Sequence, residues 1–443
     1  MTLPQDPLFA PGFAALPYWW EAAEPLQRET PLPDRAEVAI VGGGYAGLSA
    51  ALTLRRMGHA PVVLDAERIG WGASSRNGGM VSGGLKVASG ALEQALGPER
   101  ARAIALAAAA SFPFIEETIA REGIACDYIR CGRFVPAWTP KHYAALEAKA
   151  PWIAEVTGLP TAMLPRAQQS EALGSDHYHG GMLAEAGGSL HPGKYARGLA
   201  EAAERAGAIL VDGVRVRGIR PEGSGFRLST DKGELSAGAV LVATNGYSRG
   251  EDGSSAMPWL ARRMIPLGSY IIATEPLPEG TIDRLFPGRR MISDTKRVLN
   301  YFRPSPDGTR VLWGGRASFG QATPEQAAPV LHATMAEVFP ELKPVRITHA
   351  WTGNVAFTFD FLPHIGVQDG IHYAAGCQGS GVAMATWLGH RAALKLAGAA
   401  NEGFALDGLP FPTRPLYRGD PSWILPLVGG WYRLRDRIDR VAA

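Results

Sequence analysis

The chain lacks the features that would take it out of the ordinary globular class. Only three of its 443 residues are cysteine, Cys126, Cys131 and Cys377. None forms a CxxC pair, and an odd count argues against a disulfide framework, so a reducing, cytoplasmic setting is expected. A charge excess of either sign is missing: 44 basic residues against 42 acidic ones leave a net charge of +2. With no Lys/Arg cluster, a nucleic-acid partner is not expected. No uninterrupted apolar run reaches the ~18 residues of a spanning helix. The first 33 residues carry Pro, Ala and acids rather than a basic stretch followed by an apolar one, which excludes a signal peptide.

What is abundant is glycine, 54 residues, and proline, 34, within a chain that is 46% hydrophobic and 19% charged. That composition is globular, and the length fits two joined domains rich in tight turns. Residues 1–33 read as an extended arm anchored by Tyr18-Trp19-Trp20. A βαβ unit follows: strand 37–41, helix 46–57 closing at Gly58, strand 61–65. Helices are expected at 91–123, 140–156, 195–206, 325–338 and 382–397. Strands are expected at 132–138, 208–219, 225–230, 238–243, 268–275, 299–303, 310–315 and 371–375. Residues 423–440 mix Trp, Leu and Arg, which suits packing on the body or lying on a membrane surface.

Four stretches carry chemistry. The first, Gly42-Gly43-Gly44-Tyr45-Ala46-Gly47, is a GxGxxG match between a strand and a helix. Gly42 permits the tight turn, Gly44 lets backbone approach a pyrophosphate, and Gly47 lets the helix pack close to the sheet. The helix N-terminus offers unpaired N–H groups to phosphate. Asp65, at the end of the second strand, is placed to accept hydrogen bonds from ribose hydroxyls. The second stretch, Gly70 to Gly79, gathers small residues and donors that can cradle phosphate and the edge of a ring. The third, Val240 to Gly246, is an apolar strand breaking into a small-residue turn. The fourth, Gly376-Cys-Gln-Gly-Ser-Gly381, runs into a helix whose N-terminus can stabilise negative charge on a bound group.

These stretches, in this order, resemble the D-amino-acid oxidase superfamily of FAD-dependent oxidoreductases. The resemblance runs from about residue 35 to 415 and is nearest to the gamma-glutamylputrescine oxidase branch. It rests on VAIVGGGYAGLSAAL, VVLDAERIGWGASSRNGG, GGSLHPGKYARGLA, LVATNGYS, NYFRPSPDGTRVLWGGR, WTGNVAFTFDFLPHIG and GSGVAMATWLG. It implies an α/β fold: a Rossmann-like FAD-binding domain of the GR2 type, with an inserted α+β substrate domain built on an antiparallel sheet. The expected partition is an arm at 1–33, FAD-binding segments at 34–90, 187–250 and 345–415, substrate-domain segments at 91–186 and 251–344, and a helical tail at 416–443.

The resemblance also implies cofactor contacts at Gly42, Gly44, Tyr45, Ala46, Gly47, Asp65, Ala66, Arg68, Gly72, Ala73, Ser74, Arg76, Asn77, Gly78 and Gly79. Later contacts are implied at Val214, Ala243, Thr244, Asn245, Gly246, Gly379, Ser380, Gly381, Val382 and Ala383. Sarcosine-oxidase-like relatives attach flavin through a cysteine ahead of the final motif; residues 351–360 here hold none, so FAD is expected to be non-covalent. The branch often carries an aromatic residue and a His in the last glycine loop, where this chain has Cys377 and Ser380.

The implied reaction is oxidation of a C–N bond in a small amine or amino acid (a secondary amine, a cyclic imino acid or a gamma-glutamyl-polyamine). Hydride passes to flavin N5, the imine hydrolyses, and O2 or an electron-transfer acceptor takes the electrons. Tyr301, Arg303, Arg316, Trp351 and Ser380 are the candidate catalytic or substrate-contacting residues; either arginine can clamp a carboxylate or serve a structural ion pair. His364 and Lys296 are weaker candidates, the latter for promoting reaction with O2. The alternatives are a dehydrogenase passing electrons to a quinone or flavoprotein, an RNA-modifying flavoprotein, and a flavin-holding subunit without turnover. No metal is expected.

Overall fold

The computed structural model describes residues 7–85, 89–318, 322–399 and 403–441. Two large sheets organise it. In the first, strand Arg35–Val41 lies between Pro61–Leu64 and Gly233–Val242, parallel to both. Its last four residues, Val38, Ala39, Ile40 and Val41, are all buried, the unbroken apolar run that a parallel strand covered on both faces requires. Ile209–Val211 extends the sheet beyond Pro61–Leu64. On the other side the hairpin Val216–Glu222, Gly225–Thr230 completes the edge, and Ile371–Ala375 joins Gly233–Val242 in parallel. His364–Gln368 pairs antiparallel with Ile371–Ala375 as the eighth strand, and all eight lie within residues 34–90, 187–250 and 345–415.

Helices Tyr45–Arg56 and Gly381–Leu396 cross on one face of this sheet. A Cβ on Gly389 would sit 2.0 Å from the Ala46 carbonyl oxygen, so only glycine lets the backbones approach this closely. Polar groups lock the crossing: Ser49 Oγ donates to Thr386 O at 2.7 Å, and Thr53 Oγ1 meets His390 Nδ1 at 2.9 Å.

The second sheet has nine strands, in the order Phe9–Ala14, Ile347–Phe357, Ile265–Thr274, Val311–Gly315, Tyr301–Pro304, Met291–Ser293, Arg133–Pro136, Gly181–Ala184, Thr161–Leu164. It is mainly antiparallel, with two parallel pairings, at its Phe9–Ala14 edge and between Met291–Ser293 and Arg133–Pro136. One face carries Tyr270, Ile272, Phe302 and Trp313 and packs with helix Pro324–Val338 into an apolar cluster. Phe302 and Trp313 stack there with ring centroids 4.1 Å apart.

Several elements differ from expectation for identifiable reasons. The helical stretch 91–123 is three helices, Ser89–Leu96, Pro98–Ala109 and Ser111–Glu122; Gly97, at φ +81°, breaks the first junction and Pro98 begins the next helix. The expected strand 208–219 is two, Ile209–Val211 and Val216–Glu222, parted at Gly213 with φ +63°. The arm contributes an edge strand, Phe9–Ala14. Strand Ile347–Phe357 belongs to the nine-stranded sheet, although the sequence reading began its last FAD-binding segment at 345. Pro98–Glu122 is long and apolar enough to cross a membrane by length and composition, and 44% of its apolar window is buried inside the protein. Ala101, Ile104, Ala108, Phe112 and Ile115 face the core, which reads as a packed helix pair.

Candidate active site

The glycine turn after Arg35–Val41 is built for a phosphate. Gly42 has φ +109°, and a Cβ there would lie 2.9 Å from Ala243 O. Gly44 is extended at the N-cap of helix Tyr45–Arg56, with Ser74 Oγ 2.9 Å from where its Cβ would be. At Gly47 a Cβ would lie 1.9 Å from Gly42 O. Each side chain missing here is space that the turn, the helix and a pyrophosphate need. Ser74 Oγ accepts from Tyr45 N–H at 3.0 Å, which ties the first glycine stretch to the second.

Asp65 stands at the expected strand end. Its Oδ2 accepts from Gly43 N–H at 2.7 Å and its Oδ1 from Glu67 N–H at 2.9 Å. Burial pushes its pKa up to about 6, against the pull of those two donors. A further donor, such as a ribose hydroxyl, would favour the carboxylate. Val214 N–H bonds to Asp65 O at 2.7 Å, which brings the third segment of the chain to this corner. Ala66 follows directly, and Arg68 is turned outward to Glu24 and Pro25 O of the arm.

The stretch 70–79 is held from three sides. Arg76 lies over the Trp71 and Trp20 rings at 4.1 and 4.6 Å, while Nε donates to Trp71 O and Nη1 to Thr352 O. Asn77 Nδ2 reaches Ala73 O, Ser74 O and the Tyr45 hydroxyl, and its Oδ1 accepts from Gly79 N–H. Gly72 abuts the Tyr247 ring and Gly78 the Tyr301 ring. The third and fourth stretches are joined by Asn245, which has φ +44°. Its Oδ1 accepts from Gly376 N–H at 2.9 Å and its Nδ2 donates to Cys377 Sγ at 3.2 Å. Ala243 N–H bonds to Val41 O, Thr244 Oγ1 meets Ser248 Oγ, and Gly246 sits against Asn354. Val382 and Ala383 are buried in the first turn of helix Gly381–Leu396, and Gly381 rests near Cys377 Sγ. The four stretches thus form one continuous cradle, and the residues fit FAD.

The second sheet turns its other face to this cradle. Strand register puts Trp351 opposite Ile271, Gly353 opposite Ser269 and Val355 opposite Leu267. Ile271 is opposite Gly314, which is opposite Tyr301, and Arg303 is opposite Leu312. Because side chains alternate and opposed residues share a face, all of these lie on one side. That face has two halves. In the closed half, Trp19, Ile271, Leu312 and Trp351 form a buried cluster; Trp19 Nε1 donates to Asn77 O and Trp351 Nε1 to Arg76 O, both at 2.8 Å. In the other half, Tyr301 lies across Gly314, its hydroxyl 2.8 Å from Ser269 Oγ, with Val355 beside Gly379. Arg316 stands over the Phe357 ring at 4.9 Å.

The five catalytic candidates therefore separate. Tyr301 abuts Gly78 and Ser380 sits in the last glycine loop, while Arg316 lies over Phe357. Arg303 is buried in the closed half: Nη1 donates to Gly79 O and Leu190 O, and Nε to Pro304 O, at 2.8 to 3.0 Å. Burial without an acid against it pushes its pKa down to about 10. Trp351 is likewise a wall of the cradle. His364 is buried, stacked on Phe411 at 3.8 Å and bonded to Asp360. Lys296 ends over the Trp138 ring at 4.7 Å, beside the C-terminal helix. Sequence reasoning missed Ser269, Val355 and Tyr247; strand register brings the first two to the site, whereas Tyr247 lies in the turn Asn245–Tyr247 of the third stretch, where its place in LVATNGYS was the available signal.

A glycine-lined cradle roofed by one face of a mainly antiparallel sheet is a mixed α/β architecture suited to a flavoprotein. The chain belongs to the FAD dependent oxidoreductase (DAO) family, whose match spans residues 37–394, and it is an FAD-dependent oxidoreductase. It is 33% identical to a probable oxidoreductase OrdL of Rhizobium meliloti (strain 1021), covering 98% of this chain and 99% of that protein. It is also 33% identical to the gamma-glutamylputrescine oxidoreductase of Escherichia coli (strain K12), covering 91% of this chain and 93% of that protein. Among solved structures, glycine oxidase from Geobacillus kaustophilus shares the fold with TM-score 0.69 and 22% identity, covering 86% of this chain and 99% of that one.

Proposed function

We propose that this protein oxidises a C–N bond in a small amine or amino acid, with FAD held non-covalently in the cradle. The observation that carries the reading is the contact of Tyr301, hydrogen-bonded to Ser269, with the second glycine stretch at Gly78, on a half of the sheet face otherwise lined by Val355 and Leu267. When bound, FAD supplies the two-electron acceptor for hydride leaving the carbon next to nitrogen. The chain supplies placement. Tyr301 and Ser269 are joined by one O–H···O hydrogen bond, which leaves the other hydroxyl proton and the free lone pairs for an amine. Burial pushes the Tyr301 pKa up to about 12, so it acts as a neutral hydrogen-bonding group. Trp19 and Trp351 seal one end of the face against water, which keeps the nitrogen oriented and suppresses competing reactions.

Non-covalent attachment is supported by Cys377, the cysteine in the cradle. It is buried, bonded by Asn245, and its pKa is raised by burial, so its thiol is held in the unreactive protonated form. The three free thiols suit a reducing, cytoplasmic location. An oxidase that returns the electrons to O2 is the first reading. The dehydrogenase reading is favoured by one observation: helix Leu425–Val441 exposes Leu427, Trp431, Leu434 and Ile438 on its outer side, spaced as one stripe beside Arg435 and Arg437, which suits delivery of electrons at a lipid surface. The test is an anaerobic spectrum against an amine panel. Bleaching by an amine establishes the reaction, readmitted air separates oxidase from dehydrogenase, and flavin released by acid precipitation shows the link to be non-covalent. A yellow protein bleached by no amine overturns the reading.

A further inference from the structure

A cavity of about 180 Å³ opens beside the loop that follows the second glycine stretch. Ser82 and Gly83 of that loop form one wall, and Ser380 of the last glycine loop lines it too, so the cavity adjoins the flavin cradle. The opposite wall is helix Pro140–Thr157, which contributes Lys149, Trp152, Ile153 and Val156. Their spacing puts them on a single helix face turned to the cavity. Arg133, at the start of strand Arg133–Pro136, completes the lining.

Two cations thus line one partly open cavity whose wall holds no acid. Neither Lys149 nor Arg133 takes part in an ion pair among the described residues, and Arg133 Nε is buried with no hydrogen-bond partner. The nearby acids on the same elements are engaged elsewhere: Glu155 with Arg102 at 2.9 Å and Glu185 with Arg290 at 3.3 Å, while Glu147 is exposed on another face of the helix. Burial lowers the pKa of both cations, and the Arg133 charge lowers Lys149 further. Retaining two partly desolvated like charges is costly unless an anion joins them. The N-terminus of helix Gly381–Leu396, at Ser380, adds to the same sign. Ser380 is the N-cap, and its hydroxyl does not cap that helix.

We propose that this cavity binds a carboxylate carried by the substrate at the end remote from the nitrogen that is oxidised. The proposal rests on the amine-oxidising reading above. It makes the substrate an ω-amino acid: the amine is oxidised in the cradle, and the acid enters the adjoining cavity, which Ser380 lines together with Lys149 and Arg133. The single charged lysine and the guanidinium fork supply complementary donors to one carboxylate.

The test uses the FAD-loaded protein and its Lys149→Gln, Lys149→Arg and Arg133→Met variants. Glutarate binding is measured by calorimetry, and kcat/KM is compared for 6-aminohexanoate and hexylamine. We expect glutarate to bind wild type, to bind K149Q at least tenfold more weakly and to be restored by K149R. We expect the preference for 6-aminohexanoate over hexylamine to fall at least tenfold in K149Q through KM, and glutarate to inhibit competitively. If amines are oxidised but glutarate binding and the preference are the same in wild type, K149Q and R133M, the proposal is overturned. Non-competitive inhibition by glutarate would also overturn it, because the anion site would then be separate from the substrate. If no amine is oxidised while K149Q still abolishes glutarate binding, the amine reading fails and the carboxylate site stands.

Discussion

Replacing Arg303 by Met separates a brace from a clamp. The guanidinium is buried and makes three hydrogen bonds, to Gly79 O, Leu190 O and Pro304 O. Hydrogen bonds from a charged donor contribute about 1.5–3 kcal/mol each. Against this stands the cost of burying the charge, which the depression of its pKa to about 10 puts at about 3 kcal/mol. The difference leaves about 3 kcal/mol of net stabilisation, in the middle of the range, and Met fills the volume without satisfying the three carbonyls. A chain of this length unfolds with an entropy near 0.9 kcal/mol/K, so the melting temperature should fall by about 3 °C. Because Gly79 ends the second glycine stretch, assigned above to the FAD cradle, FAD affinity should fall as well. Scanning calorimetry with and without added FAD reads both, and KM for 6-aminohexanoate against hexylamine reads specificity. If Arg303 is a brace, stability and FAD retention drop while the KM ratio stays put. An unchanged melting temperature with a selective rise in KM for the acid would refute the argument and restore Arg303 as the carboxylate clamp.

Three further outcomes follow from the same geometry. Gly47→Val should give a protein that purifies without flavin absorbance, since its Cβ would lie 1.9 Å from Gly42 O and must push the helix off the phosphate turn; a fully yellow variant would contradict the packing argument. Acid should destabilise the fold between pH 6.5 and about 4: burial lowers His191, His177 and His390 to about 4, so their stabilisation is complete above the ordinary value and is lost as pH falls toward the folded one. His191 Nδ1 accepts from Lys194 N–H, so His191→Gln should flatten the fall in urea midpoint across that window, and an unchanged slope would assign it to other groups. Asp436→Ala should free the C-terminal helix, because the Asp436 carboxylate accepts from Arg297 N–H, Val298 N–H and Arg297 Nη1; trypsin should then cut at Arg433 to Arg440 faster than in wild type, and equal rates would show the helix to be held by other contacts.

What could be read from the sequence, and what could not, divides by the range of the interaction involved. The cradle was legible because its chemistry is local. A positive φ at Gly42 and a close helix at Gly47 are demands on single residues that glycine alone meets, and Gly44 keeps its turn clear of Ser74 Oγ. The same holds for Asp65, fixed by the strand that carries it. The roof was not legible, because its assignments depend on register between strands far apart in the chain. Arg303 and Tyr301 both point to the cradle side by the period of two. Yet Trp19, from an arm nearly three hundred residues earlier, closes over one and leaves the other beside Gly78. The pairing of Lys149 with Arg133 was hidden although strand Arg133–Pro136 and helix Pro140–Thr157 are consecutive, because the face the helix turns to the cavity is set by its packing on strands Thr161–Leu164 and Gly181–Ala184. A charge that looks structural or catalytic in isolation takes its role from which carbonyl or which second charge the fold sets against it. By that criterion Arg303, facing three carbonyls, holds the protein together, and Arg133, facing a lysine across open space, calls for a ligand.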